Sequence, residues 1–195
     1  GFKILKVKTG HEVDLDIERC RKLKEEFGNN FKIRVDANQG YDKEKTIKFY
    51  NATKNLGLEL IEQPLPVGRE KEMDLLPDDI RKIIACDESL KNSASAFKLA
   101  TAPKTCGIFN IKLMKCGGLS GAFDIAKIAA AADIDLFWGC FDESIVSISA
   151  ALHAAFSCKN TCYLDLDGSL DLAEDIVTGG FEINDGMMSI ADGPG

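Results

Sequence analysis

Short apolar segments rich in Ile, Val, Leu and Phe recur along this chain at a nearly constant interval, with amphipathic segments between them. This alternation is typical of βα units that build a parallel sheet. The predicted strands are residues 3–8, 31–36, 58–62, 82–87, 108–113, 134–140 and 161–165. The predicted helices are residues 12–27, 42–56, 69–77, 92–102, 118–133 and 143–157. Because successive strand ends lie 25 to 28 residues apart, each step holds one βα unit.

Ionisable residues end these predicted strands. They are Lys8, Asp36, Glu62, Asp87, Lys112, Cys140 and Asp165. A (β/α)8-type barrel collects its functional residues at the carboxyl ends of its strands in this way. A doubly wound sheet reverses direction and keeps its site in one crevice, so it fits a continuous row of ionisable strand ends less well. We therefore expect an α/β fold with a parallel (β/α)8-type barrel.

The strand count indicates a barrel that is not whole. A closed barrel of this type has eight strands, whereas seven are predicted and the first begins almost at Gly1. We expect residues 1–195 to form one barrel domain that is incomplete at its N-terminus and lacks its first βα unit. After Asp167 the βα rhythm ends, and turns are predicted at residues 178–180 and 184–186.

Acidic residues end three consecutive predicted strands, at Asp36, Glu62 and Asp87. Since the carboxyl ends of neighbouring parallel strands meet at one edge, these carboxylates are expected to converge. Three like charges that close are tolerable only around a cation, and an oxygen-only ligand set favours Mg²⁺ over softer metals. The alternative is that each acid caps the helix that follows it. The matched spacing of all three favours the metal site.

Two lysines end strands on opposite sides of the predicted barrel. If the missing unit is the first, Lys8 ends strand two and Lys112 ends strand six, so they face each other across the mouth. Two opposed lysines beside a divalent cation suggest a carbon acid held between two bases. An unperturbed lysine pKa of about 10.4 is too high for a base, so burial and nearby positive charge, including that of Lys6, are expected to lower it. The alternatives are surface salt bridges, or a Schiff-base aldolase that uses one lysine as its nucleophile.

The last predicted strand ends in Asp165-Leu166-Asp167. Side chains alternate along a strand, so both aspartates are expected on one face. Strand eight of the barrel lies opposite strand four, which places these acids across the mouth from the metal. A ligand with a carboxylate on the metal and an ammonium some distance away would span the gap, as a dipeptide does. The alternative is an Asx-turn before Gly168.

The composition of the chain indicates which classes of binding partner are unfavourable. The net charge of -7 disfavours a protein that tracks nucleic-acid phosphates or rests on anionic lipid. No apolar run reaches the roughly 18 residues of a membrane span. The seven cysteines form no C-x-x-C pair, which favours free thiols and a cytoplasmic location. We expect a small-molecule substrate and neither a nucleic-acid nor a membrane partner, while a homo-oligomer stays open.

Several motifs together resemble a known family. They are Lys6-Val7-Lys8, Asp36-Ala37-Asn38-Gln39, Ile61-Glu62-Gln63-Pro64, Cys86-Asp87-Glu88-Ser89 and Lys112-Leu113-Met114-Lys115-Cys116-Gly117-Gly118. Over nearly the whole chain this set resembles the enolase superfamily, in its muconate-lactonizing subgroup. The Asp165-Leu166-Asp167 segment further resembles the Asp-x-Asp motif of dipeptide epimerases of the L-Ala-D/L-Glu type. Ser169 and Asp171 depart from the apolar residues or proline that are common after that motif, so the preferred side chains stay open.

The resemblance implies a modified (β/α)7β barrel and an N-terminal capping domain, toward which roughly residues 176–195 return. It implies a Mg²⁺-dependent isomerase that epimerises dipeptides by 1,1-proton transfer at the α-carbon next to the C-terminal carboxylate, through an enediolate. The alternatives within the superfamily are o-succinylbenzoate synthase and N-acylamino acid racemase, whose substrates lack the ammonium. A catalytically silent barrel fragment is the non-enzymatic alternative.

The resemblance also implies a role for each candidate residue. Lys8 and Lys112 exchange the proton, and Lys6 stabilises the enediolate. The metal ligands are Asp36, Glu62 and Asp87, with Asn38 and Glu88 beside them, and the substrate ammonium is bound by Asp165 and Asp167.

Overall fold

A computed structural model describes residues 2–190. It divides into two compact units. The first contains the residues up to Ser89 together with Thr101–Ile108, and the second contains Leu90–Ala100 and the residues from Phe109 onward. The prediction that the C-terminal end returns toward a capping domain extends to residues 191–195, and the predicted barrel domain begins at residue 1. Those residues lie outside the described range.

The first unit repeats strand and helix. Its elements are β1 Ile4–Lys8, α1 Val13–Phe27, β2 Lys32–Asp36, α2 Lys43–Thr53, β3 Leu58–Glu62, α3 Glu70–Met73, α4 Asp78–Arg81 and β4 Ile84–Cys86. The strands lie side by side in chain order, and each pairs with the next in parallel. Consecutive order is typical of a β/α barrel. In a doubly wound sheet the strand order reverses, so later strands lie on both sides of the first strand.

The core of the first unit lies between its helices and one face of its strands. On α1, Val13, Ile17 and Cys20 recur at helical spacing and are buried. They belong to the same cluster as Ile33 and Val35 of β2. Since side chains alternate along a strand, the neighbours of these two residues, including Asp36, point to the other face of the sheet.

The second unit begins with α5 Ser93–Ala100. The boundary between the units falls within β5 Ile108–Ile111, whose residues from Phe109 onward belong to the second unit. Its further elements are α6 Leu113–Cys116, α7 Gly118–Ala131, β6 Asp135–Gly139, α8 Ile145–Ser157, β7 Thr161–Asp165, a turn of 3-10 helix Gly168–Asp171, β8 Phe181–Asn184 and β9 Met187–Ile190. Strands β5, β6 and β7 are neighbours in that order, and β6 pairs with β7 in parallel.

The structure departs from the predicted elements in several places. The strands predicted over 82–87 and 134–140 are shorter, β4 Ile84–Cys86 and β6 Asp135–Gly139, so Asp87 and Cys140 each lie one residue past a strand. The single helix predicted over 69–77 is wrong: α3 ends at Met73, and Pro77 precedes α4. Proline restricts the residue before it to extended backbone, so one helix cannot continue through this point. The strand predicted over 108–113 is too long, because β5 ends at Ile111 and Lys112 stands at the N-cap of α6.

The predicted turn at 184–186 is confirmed. Strands β8 and β9 form an antiparallel hairpin, with Asn184 opposite Met187. The two residues between them, Asp185 and Gly186, have φ of 51° and 80°. Positive φ at both central positions is the backbone that two-residue hairpins favour, and Asp-Gly adopts it readily.

Two further sequence expectations can be compared with the described range. Its seven cysteines are free thiols, as expected. Within residues 2–190, no helix combines the length and the apolar character needed to cross a membrane.

Candidate active site

The ionisable residues of the first unit lie on one face of its sheet. Leu5 and Val7 of β1 pack against the core, so Lys6 and Lys8 point to the opposite face. Lys8 is paired in register with Asp36, and Asp36 is paired with Glu62. These three residues end β1, β2 and β3, as predicted. The site therefore begins as one row across three neighbouring strands.

The acids of this row are buried. Asp36 is 1% exposed, Glu62 is 0% exposed and Asp87, which directly follows β4, is 5% exposed. Asp36 does not cap the helix that follows it: the N-cap of α2 is Asp42, whose side chain accepts a hydrogen bond from the backbone N–H of Lys45. The capping alternative therefore fails for Asp36. Removing carboxylates from water costs free energy unless opposite charge or hydrogen bonds compensate for it.

Lysine ammoniums provide part of that compensation. Lys6 Nζ lies 2.8 Å from Glu62 Oε2 and 3.9 Å from Asp36 Oδ2. Lys8 Nζ lies 2.7 Å from Asp36 Oδ2. The side chain of Lys6 is 20% exposed, whereas that of Lys8 is 68% exposed. Most of the Lys8 side chain is thus exposed among residues 2–190, so the burial predicted for it is wrong there.

The pKa of the Glu62 carboxyl is raised above its ordinary value. Burial is the largest cause, and it raises the pKa of Glu62 to about 7. The ammonium of Lys6 acts in the opposite direction, while the negative charges of Asp36 and Asp87 raise the pKa further. The effect of Asp87 shows that the third acid is electrostatically close to the second. Repulsion among these buried carboxylates is the situation that a bound cation relieves.

The residue types of this row suit a divalent metal ion, but their side chains are not arranged around a common point. Among residues 2–190, no three His, Cys, Asp or Glu side chains stand in a ready metal-binding arrangement. The Asp36 and Glu62 carboxylates are turned toward lysine ammoniums. Their all-oxygen chemistry, burial and mutual repulsion nevertheless fit a hard cation such as Mg²⁺. We conclude that Asp36, Glu62 and Asp87 could hold such an ion after side-chain rearrangement.

Sequence reasoning missed the residue that holds the Asp87 segment. The Gln63 side chain is buried, and its Oε1 accepts from the backbone N–H of Asp87 at 3.0 Å and of Ser89 at 3.1 Å. Its Nε2 donates to the Ser89 hydroxyl and to the Leu65 carbonyl, both at 2.9 Å. Gln63 thereby links the end of β3 to the segment after β4. The only feature of the sequence that could have indicated this role is a polar residue, Gln63, between a strand end and Pro64.

The two residues predicted beside the ligands differ in their surroundings. Asn38 has a φ of 42°, and its backbone N–H donates to Asp36 Oδ1 at 3.0 Å. It therefore supports Asp36 through its backbone, at a left-handed position that asparagine tolerates. Glu88 Oε2 is buried and has no hydrogen-bond partner in the part of the chain that the structure describes.

In the second unit, Lys112 lies one residue past the end of β5 and is 8% exposed. Its Nζ lies 4.7 Å from the centre of the Phe141 ring. This distance is within the range of a cation–π contact, which favours the charged ammonium. Lys112 is thus buried, as a proposed acid–base residue was expected to be.

Asp165 ends β7 as predicted, but the strand does not continue to Asp167. Asp167 has helical backbone angles and precedes the 3-10 turn, so the strand alternation used to place both aspartates on one face does not apply. The Asp167 side chain makes no capping hydrogen bond to that turn. Asp165 is half-buried and Asp167 is exposed.

Cys140 lies against both aspartates. Its Sγ is 3.3 Å from the Asp165 carbonyl and 3.9 Å from Asp167 Oδ1. Burial raises the pKa of the Cys140 thiol to about 11, a hydrogen bond from Gly168 opposes this, and the nearby acids, including both aspartates, raise the pKa further. The side chain after β6 is therefore a neutral thiol at physiological pH, and the aspartates provide negative charge in this region.

Known proteins are similar to this chain in sequence. A family model described as "Enolase C-terminal domain-like" matches residues 1–195. An L-Lys-D/L-Arg epimerase of Desulforapulum autotrophicum is 54% identical over 195 residues, and an L-Ala-D/L-Glu epimerase of Clostridium acetobutylicum is 33% identical over 197 residues. Each match covers 100% of this chain and 55% of the relative, so the chain spans about half the length of these relatives.

A solved structure is also similar. The dipeptide epimerase of Methylococcus capsulatus, crystallised with Mg and the dipeptide L-Arg-D-Lys, has a TM-score of 0.96 and 52% sequence identity to this chain. The similarity covers 98% of this chain and 54% of that one. A family model that matches every residue, together with relatives 54% and 33% identical that cover the whole chain, shows that the chain belongs to the enolase C-terminal domain-like family.

Proposed function

We propose that the protein is a Mg²⁺-dependent dipeptide epimerase. The observation that carries the proposal is the row of buried carboxylates and lysines across the ends of β1, β2 and β3, with Asp87 beyond it. The similarity to dipeptide epimerases supports it. Neither a Schiff-base aldolase nor a silent fragment gives these buried acids a role.

Each proposed role follows from the chemistry of its residue. A magnesium ion held by Asp36, Glu62 and Asp87 would supply positive charge for the substrate carboxylate. One lysine of the pair Lys8 and Lys112 removes the α-proton, and the other donates a proton to the opposite face of the α-carbon. The ammonium of Lys6, beside Glu62, stabilises the negative charge of the enediolate through electrostatics that are set before the reaction.

We also propose that the strands β1 to β7 belong to a modified (β/α)7β barrel, completed by a βα unit and a capping domain elsewhere in the protein. The relatives, which are nearly twice as long as the matched segment, support this view. A cytoplasmic location and assembly into a homo-oligomer stay predictions.

The substrates that we propose are dipeptides of lysine and arginine. Two lines support this choice: the relatives named L-Lys-D/L-Arg epimerases, and the acidic Asp165-Leu166-Asp167 segment beside the neutral Cys140. Cationic side chains and an N-terminal ammonium both favour negative surroundings.

A screen of dipeptides in D₂O tests the proposed function. The protein in its full natural length, with Mg²⁺, is expected to exchange the α-proton of L-Lys and L-Arg dipeptides faster than that of L-Ala-L-Glu, measured by NMR and mass spectrometry. Exchange confined to N-acylated amino acids would favour the racemase alternative instead. Trapping of a carbonyl substrate by borohydride would favour the aldolase.

The roles of Asp165 and Asp167 lead to a second prediction. Replacement of both by asparagine is expected to raise KM for free dipeptides by about tenfold or more, because a hydrogen bond to a charged group contributes roughly 1.5 to 3 kcal/mol. N-acetylated dipeptides with uncharged side chains bring no cationic group, so their KM should change little. Asp124→Asn, in the exposed ion pair with Lys127, is the control. Equal losses for free and acetylated substrates would make the two aspartates structural.

A further inference from the structure

A buried carboxylate on α1 lies outside the row of proposed active-site residues. Asp16 is 1% exposed and faces four donors. Its Oδ2 accepts from the backbone N–H of Gly10 at 3.0 Å and of His11 at 3.3 Å, and from the Tyr41 hydroxyl at 2.8 Å. Its Oδ1 accepts from Arg19 Nη1 at 2.8 Å. A buried charge with this many partners fixes the segments that provide them.

Arg19 extends this network to Lys8. The same Nη1 atom that contacts Asp16 donates to the backbone carbonyl of Lys8 at 3.1 Å. The Asp16–Arg19 pair therefore holds the loop after β1 at both ends, by the carbonyl of Lys8 and by the amides of Gly10 and His11. The helix that follows the strand thus fixes the position from which the Lys8 side chain leaves the backbone.

Besides Arg19, the second side chain that donates to Asp16 is the neutral phenol of Tyr41. Burial and the hydrogen bond to Asp16 raise the pKa of the Tyr41 hydroxyl, so it keeps its proton at neutral pH. Tyr41 follows β2, the strand that ends in Asp36. Asp16 therefore connects the loop after β1 to the segment after β2.

The loop after β1 also packs closely against that segment. The backbone N–H of Thr9 donates to the Asp36 carbonyl at 2.8 Å. Gly10 has a φ of 101°, and a Cβ placed there would lie 2.0 Å from the Ala37 carbonyl oxygen. Only glycine permits this approach. A shift of the loop would therefore move the backbone at Lys8 relative to Asp36, its ion-pair partner.

We propose that Asp16, together with Arg19, is a positioning residue for Lys8 in proton transfer. The proposal rests on the proposed function, in which Lys8 is one of two acid–base residues. Because 68% of the Lys8 side chain is exposed, packing contributes little to its position, and the backbone anchor matters more. An error of about 1 Å in a reacting group can cost roughly a hundredfold in rate.

The test compares α-proton exchange of the two epimers of one dipeptide in D₂O, with Mg²⁺ and the full-length protein. Lys8→Ala and Lys112→Ala first assign which epimer each lysine deprotonates. In Asp16→Asn and Arg19→Gln, exchange of the epimer assigned to Lys8 is expected to fall about tenfold more than exchange of the other epimer. Asp74→Asn, which weakens the acceptor of the Thr105 hydroxyl, is the matched control and should leave the ratio unchanged.

The ratio of the two exchange rates separates positioning from general stability. A variant that only loosens the fold lowers both rates together, and an equal fall or an unchanged ratio overturns the proposal. If Asp16→Asn fails to fold, Arg19→Gln decides, because its side chain is 50% exposed and its loss is better tolerated. Absence of exchange in the parent protein would instead overturn the proposed function, and this role with it.

Discussion

Lys8→Ala is expected to stop epimerisation in both directions in D₂O while Lys112 still exchanges the α-proton of one epimer. In each direction one lysine removes the α-proton from one face and the other lysine donates a proton to the opposite face, so the loss of either stops epimerisation. Lys112→Ala should show the opposite epimer preference. Each loss should be about 10² to 10⁴-fold, the usual contribution of a positioned acid or base. NMR of the α-proton signal of each epimer gives the measurement.

The control for this prediction is Lys48→Ala in the same unit as Lys8. Lys48 pairs with Asp14 at 2.7 Å and has a half-exposed side chain, so it matches Lys8 in charge and in ion pairing. Its loss should leave both exchange rates unchanged. Two lysine variants that exchange the same epimer, or a variant that epimerises at near the parent rate, would show that the two-base arrangement is wrong.

Glu62→Gln is expected to abolish turnover and to weaken Mg²⁺ binding while the fold stays intact. The substitution keeps the size of the side chain but removes the negative charge that a hard cation requires. Calorimetric titration with Mg²⁺ and circular dichroism give the two readouts. The matched control is Glu59→Gln on the same strand, which loses ion pairs with Lys32 and Arg34 but no proposed ligand. Undiminished activity in excess EDTA would remove the metal from the mechanism.

Because the pKa of Glu62 is raised, Glu62→Gln should also change how the stability of the metal-free protein depends on pH. A carboxyl whose pKa in the folded state exceeds its unfolded value contributes stability at low pH, and that contribution is lost as pH rises toward the folded pKa of about 7. Glutamine does not titrate. In urea unfolding with EDTA, the free energy of unfolding of Glu62→Gln relative to the parent is therefore expected to be more favourable at pH 8 than at pH 5. The opposite trend would show that Lys6 outweighs burial.

The βα rhythm and most strand ends could be predicted because they depend on local patterns. Alternation and helical spacing of apolar residues decide which side chains face the core, and Lys8, Asp36, Glu62 and Asp165 end their strands as expected. The parallel order of neighbouring strands follows from the short connections between them.

Contacts between distant residues needed the tertiary structure. The sequence contains Asp16, Arg19 and Gln63 among many polar residues, and nothing local shows that the first two hold Lys8 or that the third holds Asp87. Hydrogen bonds join atoms in space, so their partners depend on how the chain folds.

The residue types at the strand ends, and with them the candidate acid–base and metal-binding groups, can be read from the amino-acid order alone. The pairing of Lys6 with Glu62, the exposure of Lys8 and the burial that raises the pKa of Glu62 depend on the three-dimensional arrangement. The physical reason is that hydrophobic periodicity acts between neighbours along the chain, whereas ion pairing and desolvation depend on which groups the fold places side by side and removes from water.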